Sequence, residues 1–198
     1  MKYYQEIKLL EQSDISPYFI WSKLYAQLHL AFVECKDQNQ EVSIGVSFPE
    51  YQFDTEKDFG RLGTKLRLFG KDQQSLLALD LPKWCALLQD YIHITSIREV
   101  PHKAITGYGT FARKQVKSNP ERLARRRAKK DTSISYEAAL LLYKQGTMTS
   151  NLPYIQLNSL SNSHPFKLFV ECKLFDKEQD GLFNCFGLSN SSTVPLFH

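Results

Sequence analysis

At 198 residues and 42% hydrophobic content the chain can bury a core, which argues against a disordered protein. Its net charge is only +4, yet residues 113–130, RKQVKSNPERLARRRAKK, hold nine Lys or Arg and one Glu, so the other 180 residues carry −4. Charge focused in this way implies one site for a polyanion and excludes lysines scattered for solubility alone.

In chain order, KYYQEIKLL reads as a strand, and Ser16-Pro17 then supplies a helix cap and a Pro at the first helical position. Ile20, Leu24, Leu28 and Phe32 recur every four residues and mark the helix's core stripe. EVSIGVSFP alternates, with Val42, Ile44, Val46 and Phe48 on one face, and Pro49 ends the strand. TKLRLFG is a shorter strand. Residues 72–91 read as helical with a break at Leu81-Pro82, and IHITSIREV returns to strand character. The order βαββαβ fits a ferredoxin-like sandwich, so the fold class is α+β, with a ferredoxin-like domain over 1–97. Small and turn residues follow Pro101, and a second, α/β domain is expected over 98–198. It contains a helix at about 119–130, another around SYEAALLLYKQ, and two strand-like runs, PFKLFVECKLF and GLFNCFGL, separated by DKEQD.

The basic run forms the first of those helices. Asn119 can cap it, Pro120 suits its first turn, and Glu121 favours the positive end of its dipole. Arg122, Arg125, Arg126 and Lys129 then share one face. Leu123 is its only large hydrophobe, so core burial cannot be the main thing holding it, and a phosphate backbone would supply the missing counter-charge. The bland reading is a solvated helix. Against it, five of the nine cations are Arg, whose guanidinium matches phosphate oxygens and base edges. Arg113 and Gln115 are types that read purine edges. A dense cationic helix lying along a stem suits RNA, whose grooves are read by shape and phosphate geometry.

Cysteines 35, 85, 172 and 185 form no C-x-x-C pair and suit neither a zinc site nor a disulfide scaffold, so four free thiols of a cytoplasmic protein are expected. MKYYQEIKLLEQ has no apolar leader, no run is long enough to cross a bilayer, and no membrane partner is expected. Asp176, Glu178 and Asp180 before Gly181 imitate the opening of a calcium loop, but the twelfth position is Gly187. That segment is read as a solvated hairpin tip, and no metal or other cofactor is expected.

QVKSNPERLARRR, together with HLAF on the first helix, IGVSFP and the closing CFGLSNSSTVPLF, resembles the CRISPR-associated endoribonucleases of subtype I-F systems along the whole chain. The resemblance implies a ferredoxin-like N-terminal domain and a C-terminal domain with an arginine helix. It also implies a partner and a reaction. The partner is the hairpin of CRISPR repeat RNA, held before and after processing, together with the other subunits of a type I-F interference complex. Without a metal, the ribose 2′-hydroxyl at the base of the stem attacks the adjacent phosphorus, leaving a 2′,3′-cyclic phosphate and a 5′-hydroxyl.

Such a cut asks for a base near neutral pH, and histidine is the natural one. By residue pattern alone His29, one position off the apolar stripe on the row of Trp21 and Tyr25, is a core or boundary histidine. The resemblance makes it the general base. It likewise makes Ser159 the residue that positions the 2′-hydroxyl, with Ser161 beside it, although a run of Ser and Asn is also ordinary loop composition. Phe166 falls where an aromatic stacks on the end of the stem. Arg113 and Gln115 match a base-reading pair, and Arg122, Arg125 and Arg126 match the helix, with Lys129 and Lys130 where arginines are familiar. Phe186 stands where the family usually has a tyrosine, so a hydroxyl that could orient the histidine is absent. His164, next to the serines, is the rival base. Two other classes stay open: a hairpin-binding subunit without catalysis, and a basic helix docking on an acidic protein.

Overall fold

The computed structural model describes every residue except 55, 57, 58, 116–119, 146–150, 160–163 and 198. Strand β1 (Tyr3–Leu9) leads into helix α1 (Pro17–Cys35), followed by β2 (Glu41–Val42), β3 (Gly45–Ser47), β4 (Gln52–Asp54), β5 (Phe59–Arg61) and β6 (Lys65–Gly70). Short helices α2 (Gln73–Ala78) and α3 (Leu81–Trp84) precede β7 (Ile92–Ile94), β8 (Arg98–Glu99) and β9 (Gly107–Lys114). Helices α4 (Pro120–Lys130) and α5 (Tyr136–Gln145) come next, then β10 (Tyr154–Asn158), β11 (Pro165–Phe175), β12 (Phe183–Asn184) and β13 (Val194–Leu196). The fold is mixed α/β. It divides into two compact units, one formed by Met1–Lys114 with Leu152–His198 and the other by Gln115–Asn151.

Two larger antiparallel sheets run through the first unit, beside the two-stranded pairs β2–β12 and β4–β5. One runs β3-β6-β1-β7, with β8 also pairing β1, and the other runs β10-β11-β9-β13. Helix α1 starts where the sequence signals it: the Ser16 hydroxyl accepts the Tyr18 amide, and Pro17 opens the first turn. Its buried face is wider than the four-residue stripe, because Trp21, Tyr25 and Ala31 are sealed along with Ile20, Leu24, Leu28 and Phe32. Trp21 can be buried because its indole N–H donates to the Gly63 carbonyl at 2.9 Å. Helix α1 packs on β10 of the second sheet.

The run from Val42 to Phe48 differs from the single strand its alternation predicts. Val42, Ile44, Val46 and Phe48 are all buried, but the segment splits, β2 pairing with β12 and β3 with β6. Crowding at Gly45 accounts for the constraint there, since a Cβ would lie 2.6 Å from both Phe183 and Val194. Strand β6 is buried from Leu66 to Gly70, Arg67 included. Arg67 is neutralised by Glu6 at 2.7 Å, donates to the Phe197 carbonyl at 2.6 Å and lies over the Phe197 ring, which ties the C-terminal end of the chain to the first sheet.

DKEQD is not a hairpin tip. Strand β11 pairs with β10 and β9, whereas Phe183–Asn184 pairs with β2. Glu178 instead receives the N-terminal ammonium at 2.5 Å, and Asp180 pairs with Lys71 at 2.6 Å. The hydrogen bonds from Lys71 and the Gly181 amide hold the Asp180 carboxyl below its usual range.

In the second unit α4 and α5 pack together, with Ala124 and Ala139 fully buried. Small side chains let two helices approach closely, which supplies the packing that Leu123 alone could not. Arg127, Lys129 and Lys130 fall in the last turn of α4 and Glu121 in the first, each favourable to the helix dipole. Among the described residues no helix is long and apolar enough to cross a membrane.

Candidate functional site

A tight turn carries the site's floor. After Phe183, the Asn184 side-chain oxygen accepts the amides of Phe186 at 2.8 Å and Leu188 at 3.3 Å. The Gly187 amide donates to the Asn184 carbonyl and the Asn184 amide to that of Leu188, so the segment closes on itself. Gly187 sits at φ +69°, where only glycine rests without strain, and its carbonyl accepts the Val46 amide at 2.8 Å. The strand expected over GLFNCFGL therefore ends at Asn184, because the Asn side chain and the left-handed glycine turn the chain. A Cβ at Gly187 would lie 2.4 Å from Val46 Cγ2 and 3.0 Å from the Phe32 ring. Gly187→Ala is expected to cost about 2–5 kcal/mol of stability in urea denaturation, from left-handed strain plus overpacking.

His29 is seated on that turn. Its Nδ1 lies 2.8 Å from the Cys185 carbonyl oxygen, and its ring stacks on Phe186 with centroids 4.1 Å apart and planes 5° from parallel. A carbonyl can only accept, so Nδ1 carries a proton, and in the neutral ring the lone pair is then on Nε2. The ring is half-buried, unlike sealed Tyr25 one turn earlier. Phe186 itself is buried, and the Tyr25 hydroxyl donates to its carbonyl at 2.8 Å.

Arg113 reaches the same ring from β9. Its guanidinium carbon is 5.5 Å from the Phe186 centroid and 5.3 Å from that of Phe166, a half-buried residue of β11. The fold thus gathers His29, Phe186, Arg113 and Phe166 from four separate segments. Ser159 is half-buried and directly follows β10, the strand packed on α1; its amide donates to the His164 carbonyl at 2.9 Å. His164 is exposed. Ser161 lies outside the described residues, as does Asn119.

The remaining predicted residues belong to the second unit. Gln115 is exposed, and so are Arg122, Arg125, Arg126, Lys129 and Lys130 along α4. Arg125 Nε donates to the Glu121 carbonyl at 3.3 Å. Burial pushes the Cys85 and Cys172 thiols up to about 11, so neither is a thiolate at neutral pH. Among the described residues no group of three or more His, Cys, Asp or Glu could hold a metal ion.

Tyr25, Asn184 and Gly187 were not singled out as site residues by the sequence. Their signals were present: Tyr25 stands four residues before His29, and Asn184 with Gly187 brackets a turn.

A family model described as CRISPR-associated protein (Cas_Csy4) matches residues 4–197. The CRISPR-associated endonuclease Cas6/Csy4 of Escherichia coli (strain UTI89 / UPEC) is 34% identical over 198 residues, covering all of both chains. The protein of the same name from Pseudomonas aeruginosa (strain UCBPP-PA14) is 33% identical over 198 residues, again covering all of both. A solved structure described as a Cas6-related gene product from Pyrococcus furiosus aligns over 99% of each chain at 9% identity, with a TM-score of 0.36. On the family match and these full-length relatives, the chain belongs to the CRISPR-associated Csy4 family.

Proposed function

We propose that this chain is an endoribonuclease that processes CRISPR repeat RNA, with His29 as its general base. Family membership and full-length identity to two proteins named as CRISPR-associated endonucleases support the activity. The observation that carries the residue-level reading is the bond from His29 Nδ1 to the Cys185 carbonyl, which commits one ring nitrogen and leaves Nε2 as a base.

In this reading Nε2 takes the proton of the ribose 2′-hydroxyl, and the oxygen attacks the adjacent phosphorus. The 5′ oxygen leaves and takes up a proton, giving a 2′,3′-cyclic phosphate and a 5′-hydroxyl. Ser159 positions the 2′-hydroxyl, and the neighbouring Ser161 assists it. Phe166 stacks on the terminal base pair of the stem, worth about 1–3 kcal/mol. Arg113 and Gln115 read base edges, and the exposed cations of α4 neutralise stem phosphates. The cleaved RNA stays bound, and the protein carries it into a type I-F interference complex.

We read 1–97 as ferredoxin-like, supported by the antiparallel order β3-β6-β1-β7, and 98–198 as the half that recognises the hairpin, supported by the basic α4. A hairpin-binding subunit without catalysis is the second reading, favoured by Phe186, which brings no hydroxyl to the imidazole. One assay separates them. Incubation with repeat RNA in excess chelator is expected to give product ending in a cyclic phosphate, and a 2′-deoxy nucleotide at the cut site is expected to block it. RNA recovered bound but intact would establish the binding-only subunit.

A further inference from the structure

We propose that Tyr25 is a positioning residue for His29: by holding the turn at Phe186 it keeps the Cys185 carbonyl under the imidazole and fixes the tautomer that presents a bare Nε2. The proposal rests on the reading of His29 as the base. Tyr25 and His29 are four residues apart on α1, so their side chains lie on one row of the helix. They meet two successive carbonyls, Tyr25 Oη donating to Phe186 and His29 Nδ1 to Cys185, each at 2.8 Å.

That pairing needs the turn. In an extended strand successive carbonyls point to opposite edges, so one helix face could reach only one of them. The Asn184 bonds and the left-handed Gly187 bring both round to α1. The two bonds then act as a pair of pins on adjacent peptide planes: the plane of the Cys185 carbonyl is held through the Phe186 amide by Asn184, and the Tyr25 bond fixes the plane that follows it, so a shift of the turn away from α1 strains both.

Tyr25 is well suited to the task. It is fully buried, and its ring stacks on Phe48 with centroids 6.1 Å apart and planes 17° from parallel, so the hydroxyl has little freedom to swing. Burial drives its phenol well above the ordinary range, so the group remains a donor at every working pH. Without that pin the imidazole is free to adopt the other tautomer. A proton would then occupy Nε2, the nitrogen required to accept one.

Tyr25→Phe keeps the ring and removes the single donor. Nitrogen-15 NMR of the full wild-type chain is expected to show His29 protonated at Nδ1 and bare at Nε2, and in Tyr25→Phe the Nε2–H form is expected to appear. Single-turnover cleavage per folded molecule is expected to fall about fivefold to tenfold, one hydrogen bond's net worth expressed in rate. Affinity for a 2′-deoxy repeat RNA is expected to stay unchanged. A variant that melts earlier but keeps the wild-type tautomer and rate would reduce Tyr25 to a structural residue and overturn the proposal. An Nε2–H tautomer in the wild type overturns it whether or not Tyr25→Phe folds. Full cleavage by His29→Ala would instead overturn the assignment of the base, whereas an inactive His29→Ala beside a normal Tyr25→Phe overturns the positioning role alone.

Discussion

His29→Ala is expected to slow cleavage of repeat RNA by about 10²–10⁴-fold, the usual contribution of a positioned general base, while RNA affinity stays within about twofold. The split follows from the geometry. Both the hydrogen bond and the ring stack of His29 face the protein, toward Cys185 and Phe186, so truncating it takes no charge from the surface that meets phosphates. Single-turnover kinetics in excess chelator, paired with a filter-binding titration, measure the two quantities on the same samples. Cleavage at the wild-type rate would transfer the base's role to another group, exposed His164 first. Because half-buried His29 leaves only a small void beside Phe186, the variant is expected to fold, and a melting curve checks this.

Replacing Arg125 and Arg126 together by Ala is expected to weaken hairpin binding by about 10²-fold or more at low salt, since hydrogen bonds to charged groups are among the stronger ones. It is also expected to flatten the slope of log K against log salt by about 1.4–1.8, the share of two neutralised phosphates. Both side chains are exposed, and the α4–α5 packing rests on Ala124 and Ala139, so the loss is not one of folding. The matching Arg→Lys pair separates charge from geometry: it retains the salt slope and loses only the bidentate bonding. An unchanged slope in the alanine variant would mean that these two arginines face no phosphate, and would favour docking on an acidic protein surface.

Much of the fold was legible because α1 and β1 obey local rules. The Ser16-Pro17 start and the four-residue recurrence from Ile20 to Phe32 determine a helix without reference to the rest of the chain. The basic α4 was equally plain, since Pro120 at its start and the order of its charges agree along it. What failed depended on distant partners. Alternation from Val42 to Phe48 reports burial correctly, but only Phe183 and Val194, more than 130 residues away, constrain the backbone at Gly45. GLFNCFGL has the apolar content of a strand, and its turn is set by one asparagine side chain and one glycine. Periodicity cannot weigh such single-residue effects.

The site divides along the same line. His29 by pattern alone was a boundary histidine, and its seat is made by a carbonyl 156 residues later. No spacing rule reaches that far. Arg113, marked for its chemistry as a reader of bases, also proves to lie over Phe186, the ring on which the histidine stacks, and over Phe166, which the pairing of β9 with β11 brings near it.

The turn that seats His29 follows the imidazole by 156 residues along the chain, and the cationic helix lies between them. A polypeptide interrupted between His29 and Cys185 carries the histidine without the carbonyl that binds its Nδ1. During synthesis the cationic helix therefore emerges before the seat of the imidazole is complete.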